Sequence, residues 1–142
     1  MKKSRVLLGF VLISMSLLLQ GCFNTKTLEC KEINGNNSAE LILKYRNDKL
    51  YSMKAYYKMD LSSYSEEQIE EIKKEDTCDE ISRSILGIVA KTCNKNISSK
   101  LLTIDIEADI SKIKEENLDT VNSITKTKET FENNSKATCE IK

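Results

Sequence analysis

Residues 101–110 read LLTIDIEADI and predict the clearest β-strand of the chain. Apolar and polar side chains alternate along this stretch, and successive side chains of a strand point to opposite faces of a sheet. The apolar face carries Leu102, Ile104, Ile106, Ala108 and Ile110. The polar face carries Thr103, Asp105, Glu107 and Asp109. A slip of one residue would bury three carboxylates, so the stretch predicts a sheet with one buried face and one solvated face.

Two stretches upstream show the same alternation on either side of Asn47-Asp48. Residues 38–46 and 49–59 each place polar side chains on one face and apolar or aromatic ones on the other. The predicted inner face of the second stretch carries Tyr51, Met53, Ala55, Tyr57 and Met59. Asn47-Asp48 fits a two-residue hairpin turn. A turn signal at residues 34–37 places a further strand at 27–33, so the three strands predict an antiparallel meander.

A helix is predicted to follow this meander. Ser65 and Gln68 have the spacing of a capping box. Ile69 and Ile72 then share one face, whereas a second apolar stripe contains Cys78, Ile81, Ile85 and Ile88. The two stripes are out of phase, because the nine residues from Ile69 to Cys78 make two and a half helical turns. The pattern therefore predicts a break near residues 75–77, and Gly87 fits a helix end.

The rest of the chain predicts shorter elements. Residues 89–97 read weakly as a strand, 112–118 as a short polar helix or turn, 124–133 as a helix and 137–141 as a short last strand. We expect one α+β domain over residues 27–142. It should contain an antiparallel sheet of about five strands, a helix packed on one face and a short C-terminal helix.

The N-terminus has the three-part layout of an export signal. Residues 1–5 (MKKSR) are basic, and residues 6–19 are mainly apolar. This apolar run is shorter than the roughly 20 residues of a membrane-spanning helix. It ends in Leu19-Gln20-Gly21-Cys22, which resembles the signal of bacterial lipoproteins.

The resemblance implies a lipid anchor on Cys22. A diacylglyceryl group would be attached to the Cys22 thiol, cleavage would follow Gly21, and the new amino group would be acylated in many species, for example with palmitate. Residues 1–21 would then be a signal peptide and residues 22–26 a short lipidated tether. The domain would lie at the extracytoplasmic face of the bacterial membrane. The alternative is an ordinary secreted protein in which Cys22 is a structural thiol.

The other cysteines predict disulfide bonds. Cys30, Cys78, Cys93 and Cys139 are an even number in an exported domain, which indicates two disulfides with three possible connectivities. We favour Cys78–Cys93, which would join a helix to the next strand, and Cys30–Cys139, which would join the first and last strands. Buried free thiols are the alternative. No Cys-x-x-Cys spacing occurs, so neither a thioredoxin-like site nor a paired-thiolate zinc site is indicated.

Composition argues against several classes of function. The chain has no His, which excludes His-based catalytic triads and His-ligated zinc. Without residues 1–21 it has 121 residues, with 19 basic and 22 acidic side chains, and this balance argues against nucleic-acid binding. Only four glycines occur, and no phosphate-binding loop is recognisable. We predict no cofactor, and the sequence indicates no small-molecule ligand. The composition favours a non-enzymatic role in binding or interaction.

The carboxylates Asp105, Glu107 and Asp109 support the alternative, a metal-dependent envelope enzyme. They are predicted to share one strand face, with neighbours roughly 6.6 Å apart. This spacing is wide for one calcium or magnesium ion unless a loop adds oxygen ligands. The simpler interpretation is a solvated face beside the lysines of another strand, Lys54 and Lys58.

The order of predicted elements, with residues 102–106 reading LTIDI, resembles the YehR-like small lipoproteins, a family of unknown function. The C-terminal helix and the short cysteine-bearing end also resemble cysteine-containing lipoproteins of Gram-positive bacteria. The resemblance implies an envelope lipoprotein and supplies no activity. We therefore expect a lipid-anchored module whose partners are the membrane and an envelope component or another protein.

Overall fold

A six-stranded antiparallel sheet forms the centre of the computed structural model, which describes residues 24–84 and 89–142. The strands are β1 (Thr25–Asn34), β2 (Asn37–Arg46), β3 (Lys49–Asp60), β4 (Ala90–Ser98), β5 (Leu101–Ala108) and β6 (Thr138–Ile141). Their order in space is β4-β5-β3-β2-β1-β6, and every neighbouring pair is antiparallel. The predicted α+β class is confirmed. The predicted count of about five strands is too low, because β4 and the four-residue β6 form the weakly patterned edges.

Helices cover the inner face of this sheet. They are α1 (Glu66–Lys74), α2 (Thr77–Ser84), α3 (Glu115–Val121) and α4 (Ile124–Asn134), with a 3-10 turn at Ile110–Lys112. Helix α2 packs on β4 and β5, whereas α4 packs on β1 and β6. The core between sheet and helices contains Leu28, Leu43, Met53, Leu61, Ile104 and Val121 among its most buried side chains. The predicted division into one wet face and one apolar face is thus present.

Two tight turns show why the hairpins form. Asn47 and Asp48 have positive φ angles of 50° and 57°, and Ser99 and Lys100 have 50° and 59°. Positive φ at both central residues is the signature of type I′ turns, whose twist matches that of the paired strands. The Asn47-Asp48 turn was predicted, and β3 begins directly after it.

One predicted side-chain orientation on β3 is wrong. The register shifts between Lys44 and Tyr45, so that Tyr45 pairs with Leu50. This bulge turns Leu50 inward, where it is 6% exposed, and leaves Tyr51 43% exposed instead of facing the core. The guanidinium carbon of Arg46 lies 4.9 Å from the centre of the Tyr51 ring, a cation–π arrangement.

The predicted helix start and helix break are both present. Gln68 N donates to Ser65 Oγ, and Ser65 N donates to Gln68 Oε1 at 2.9 Å, which completes the capping box. Helix α1 ends at Lys74, and α2 begins at Thr77. Lys95 of β4 donates to the Ile72 carbonyl at 2.8 Å and caps the end of α1, where a cation suits the helix dipole. Ile85, Gly87 and Ile88 lie outside the described residues.

Two disulfides tie the edges of the fold. Cys30 and Cys139 face each other on β1 and β6 with their Cα atoms 4.0 Å apart. Cys78 of α2 and Cys93 of β4 have Cα atoms 5.9 Å apart. These are the pairs that the sequence favours. One bond secures the shortest strand to the sheet, and the other secures α2 to the opposite edge strand.

The two disulfides should differ in their effect on stability. The Cys30–Cys139 bond closes a separation of 109 residues and the Cys78–Cys93 bond one of 15. Loop entropy then predicts a loss of about 4.7 kcal/mol in the free energy of unfolding for C30A/C139A and about 3 kcal/mol for C78A/C93A. Urea denaturation of the two double variants measures both losses. A larger loss for C78A/C93A would contradict the expectation.

Candidate ligand-binding cleft

The predicted carboxylate row divides at the end of β5. Asp105 and Glu107 lie on the outer face of the strand, but β5 ends at Ala108 and Asp109 belongs to the following turn. The placement of Asp109 on the strand face is therefore wrong. Its carboxylate accepts from the Ser111 hydroxyl at 2.6 Å and from Ser111 N at 3.1 Å. The hydrogen bond from the Ser111 hydroxyl is the main cause of a lowered pKa of Asp109, and the bond from Ser111 N lowers it further.

Basic and polar side chains surround the two remaining carboxylates. Glu107 lies opposite Lys54 of β3, and its Oε1 is 3.6 Å from Lys91 Nζ. Asp105 is exposed and lies opposite Tyr56 on β3 and Asn94 on β4. Within the described ranges, no group of three or more Cys, Asp and Glu side chains is arranged to hold a metal ion. The arrangement favours a solvated sheet face in which β3 supplies lysines beside β5.

Calcium and magnesium titrations test the carboxylate alternative. Two carboxylates on one strand, with a lysine near one of them, supply too few oxygens for a divalent cation. We expect no binding heat above dilution and no thermal shift at millimolar metal, for the wild type and for D105N/E107Q alike. E115Q/E116Q is the control for loss of surface charge. Saturable binding that D105N/E107Q removes would establish the metal site.

The inner face of the sheet has an opening between its two groups of helices. A first cavity of about 290 Å³ lies between the strand ends and α2, and its apolar wall contains Tyr57, Met59, Ile81, Leu102 and Ile104. A second cavity of about 200 Å³ lies under α4, against Leu41 and Phe131. Glu32, Ala39 and Tyr57 line both cavities. We call the two adjoining cavities the cleft.

A single cross-strand row forms the floor of the cleft. Glu32 of β1 pairs with Ala39 of β2, and Ala39 pairs with Tyr57 of β3. Side chains directly opposite each other are about 5 Å apart at Cβ. The small Ala39 side chain therefore leaves a gap between Glu32 and Tyr57. Along the same face of β1, Leu28 and Cys30 are buried apolar residues, and Glu32 follows them as a charged residue.

Hydrogen bonds hold the rim of the cleft beside the β1–β2 turn. Asp60 N donates to Asn37 Oδ1 at 2.8 Å, and Asn36 Nδ2 donates to Asp60 Oδ2 at 2.8 Å. The Ser62 hydroxyl also donates to Asp60 and is the main cause of its lowered pKa, followed by Ser62 N and Asn36. Asn37 lines the first cavity. The end of β3 thus fixes one wall of the opening.

The two polar members of the row differ in character. Burial raises the pKa of Tyr57, so its hydroxyl remains protonated at neutral pH. Glu32 is half-buried, and no described residue forms an ion pair with its carboxylate. Lys31, which precedes Glu32, lies on the outer face and pairs with Glu40 at 2.9 Å. The row therefore places one neutral phenol and one carboxylate without an ion-pair partner among the described residues beside the apolar wall of the cleft.

Sequence patterns place Tyr57 and Ala39 on the inner face but do not identify the cleft. The available signal was a glutamate two residues after the inward-facing Leu28 and Cys30 positions of β1, opposite an alanine once the register is known. Cys22, the predicted lipid site, lies outside the described residues. The four other cysteines are brought together as the two disulfides.

Comparison of the chain with protein-family models, curated proteins and solved structures finds no match. The resemblance to YehR-like lipoproteins therefore stays a prediction. In the part of the chain that the structure describes, no helix combines the length and the apolar character needed to cross a bilayer.

Proposed function

We propose that this chain is a lipid-anchored, extracytoplasmic binding module without catalytic activity. The cleft is the observation that carries the binding role. Ligand sites in proteins are concave, mainly apolar and equipped with a few polar groups, and the cleft has these properties. A serine or cysteine nucleophile activated by His is excluded, because the chain contains no His and Cys30, which lines the second cavity, is in a disulfide.

Two features support the extracytoplasmic location. The first is the sequence of residues 1–22, with its basic start, apolar run and terminal Leu19-Gln20-Gly21-Cys22. The second is the pair of disulfides, since such bonds form and persist in oxidising compartments. Both agree with an exported domain that needs covalent bonds to secure its edge elements.

The position of β1 supports an anchor close to the sheet. Strand β1 begins at Thr25, two residues earlier than the sequence predicts, so Phe23 and Asn24 alone separate it from Cys22. Three residue steps reach about 10 Å when extended. Asn24 also accepts a hydrogen bond from Asn47 N at 3.0 Å, next to the β2–β3 turn. The end of the sheet with this turn would therefore face the membrane.

The charge of this end suits a bacterial membrane surface. On the strands around the turn lie Lys26, Lys44, Arg46 and Lys49, and Asp48 in the turn is paired with Lys26 at 3.3 Å. Basic groups close to a membrane are attracted to anionic lipid headgroups. Glu32 lies seven residues along β1 from Thr25, or about 23 Å. In this orientation the cleft opens far from the lipid and receives its ligand from the aqueous side.

Replacement of Cys22 tests the anchor. In the wild type we expect the mature chain to begin at Cys22 and to carry acyl groups on its N-terminal peptide, as read by mass spectrometry. The C22A variant should lose the acyl mass and leave the detergent-rich phase on phase separation, because no other part of the proposed structure holds it to lipid. N24A is the matched control and should remain anchored. An unmodified wild-type Cys22 would contradict the proposal.

Amine labelling tests the orientation. Lys49 follows the β2–β3 turn and Lys100 lies within the β4–β5 turn, at opposite ends of the sheet. When the protein is transferred from detergent to vesicles containing phosphatidylglycerol, lipid headgroups should cover Lys49. We therefore expect its acylation by a water-soluble reagent to slow several-fold. Lys100 should react at an unchanged rate. Equal slowing of both lysines, or slowing of Lys100 alone, would contradict the orientation.

A further inference from the structure

The cleft contains one negative charge that the described part of the protein does not neutralise. Glu32 lines both cavities, and none of the described basic side chains pairs with it. Glu40 also lines the second cavity, but its carboxylate is bound to Lys31. Lys58 also lines the first cavity, but it lies on the outer face of β3, opposite Thr103, and is exposed. A half-buried carboxylate beside an apolar wall favours a cation that arrives with the ligand.

The row Glu32–Ala39–Tyr57 has the spacing to hold such a cation. Neighbouring strands are about 4.8 Å apart, so Ala39 stands midway between Glu32 and Tyr57. A positive group above Ala39 would be about 5 Å from each of them. That distance lies within the roughly 6 Å range of cation–π attraction to the Tyr57 ring and within reach of a flexible carboxylate. The small Ala39 side chain leaves the necessary room.

The cavities on either side supply an apolar environment for the rest of the ligand. The larger one presents Met59, Leu102 and Ile104, and its volume of about 290 Å³ admits a short hydrocarbon chain. Burial of such a chain contributes about 0.8 kcal/mol per CH₂ to binding in general. The Glu32 carboxylate alone would bind an ammonium group too weakly in water. The apolar wall alone would not distinguish a cationic ligand from a neutral or anionic one.

We infer that the cleft binds a cationic amphiphile, with its ammonium group between Glu32 and Tyr57 and its apolar chain against Met59, Leu102 and Ile104. This inference rests on the proposed function, because it names the ligand class of the same cleft. The phenol of Tyr57 contributes its ring face, and the Glu32 carboxylate supplies the opposite charge.

Three probes with the same hydrocarbon chain test this ligand class on the mature protein. Octyltrimethylammonium, octanol and octyl sulfate share the octyl chain and carry a positive, a neutral and a negative headgroup. Each is titrated below its solubility limit and below the concentration at which it forms micelles. Isothermal titration calorimetry gives the affinities. We expect the ammonium probe to bind about tenfold or more tightly than octyl sulfate, with octanol between them. Methyl NMR shifts at Ala39 and Met59 locate the bound probe.

Conservative variants separate the charge from the cavity. E32Q should lower the affinity for the ammonium probe to about the affinity for octanol. An unchanged thermal unfolding curve checks that the variant is folded. E40Q is the matched control: Glu40 lines the second cavity but is paired with Lys31, so the preference should persist. A39L should weaken all three probes, because its larger side chain fills the gap above the row.

The outcomes separate the inference from the proposed function. If the probes bind in the cleft without a preference for the ammonium, or if E32Q leaves that preference intact, the ligand class is wrong while the cleft remains a binding site. If none of the three probes binds, or if binding occurs without shifts at Ala39 and Met59, the cleft is not the binding site and both proposals fail.

Discussion

The pairing of β3 with β5 is the constraint on which the rest of the structure depends. It joins the N-terminal hairpins to the second half of the chain, with Ala55 opposite Ile106 and Tyr57 opposite Ile104. Side chains alternate between the two faces, so a slip of one residue would turn Lys54, Asp105 and Glu107 into the core. The cost of burying these charges without compensation fixes the register. The same alternation places Tyr57 on the inner face, where the register of β2 with β3 sets it beside Ala39.

The elements around this pairing depend on covalent and polar ties at the edges. The edge strand β4 is bound to α2 through Cys78–Cys93, and its Lys95 caps α1. The other edge, β6, has four residues and is joined to β1 by Cys30–Cys139. A strand this short makes few ladder hydrogen bonds, so a covalent bond is an effective way to hold it. Between α2 and α4 the inner face stays open at the strand ends beside the β1–β2 turn, and the cleft lies there.

Much of the fold was predictable because its signals are local. Alternation along residues 101–110 and 49–59 marks strands, Asn47-Asp48 marks a hairpin, and Ser65 with Gln68 marks a helix start. The failures arise where a single residue changes the geometry. The bulge beside Tyr45 reverses Tyr51, and β5 ends at Ala108, which converts Asp109 from a strand residue into a turn cap. Neither event has a periodic signature.

The candidate site was less predictable for a different reason. Glu32, Ala39 and Tyr57 are on three strands, and each belongs to an unremarkable alternating pattern in the sequence. Their relation exists only through the registers of β1 with β2 and of β2 with β3. The opening above them also depends on where α2 and α4 lie, which single-sequence periodicity does not specify. A site made by packing rather than by a motif therefore requires the structure.

Nuclear Overhauser effects at the tyrosine rings test the β3 register most directly. Tyr56 and Tyr57 are adjacent, and the registers of β3 with β2 and β5 place the Tyr57 ring alone in the inner row with Ala39 and Ile104. We therefore expect effects from Tyr57 ring protons to the methyl groups of Ala39 and Ile104, since directly paired side chains are about 5 Å apart. Effects from the Tyr56 ring to these methyl groups, with none from Tyr57, would show a slipped register and contradict both the sheet and the cleft.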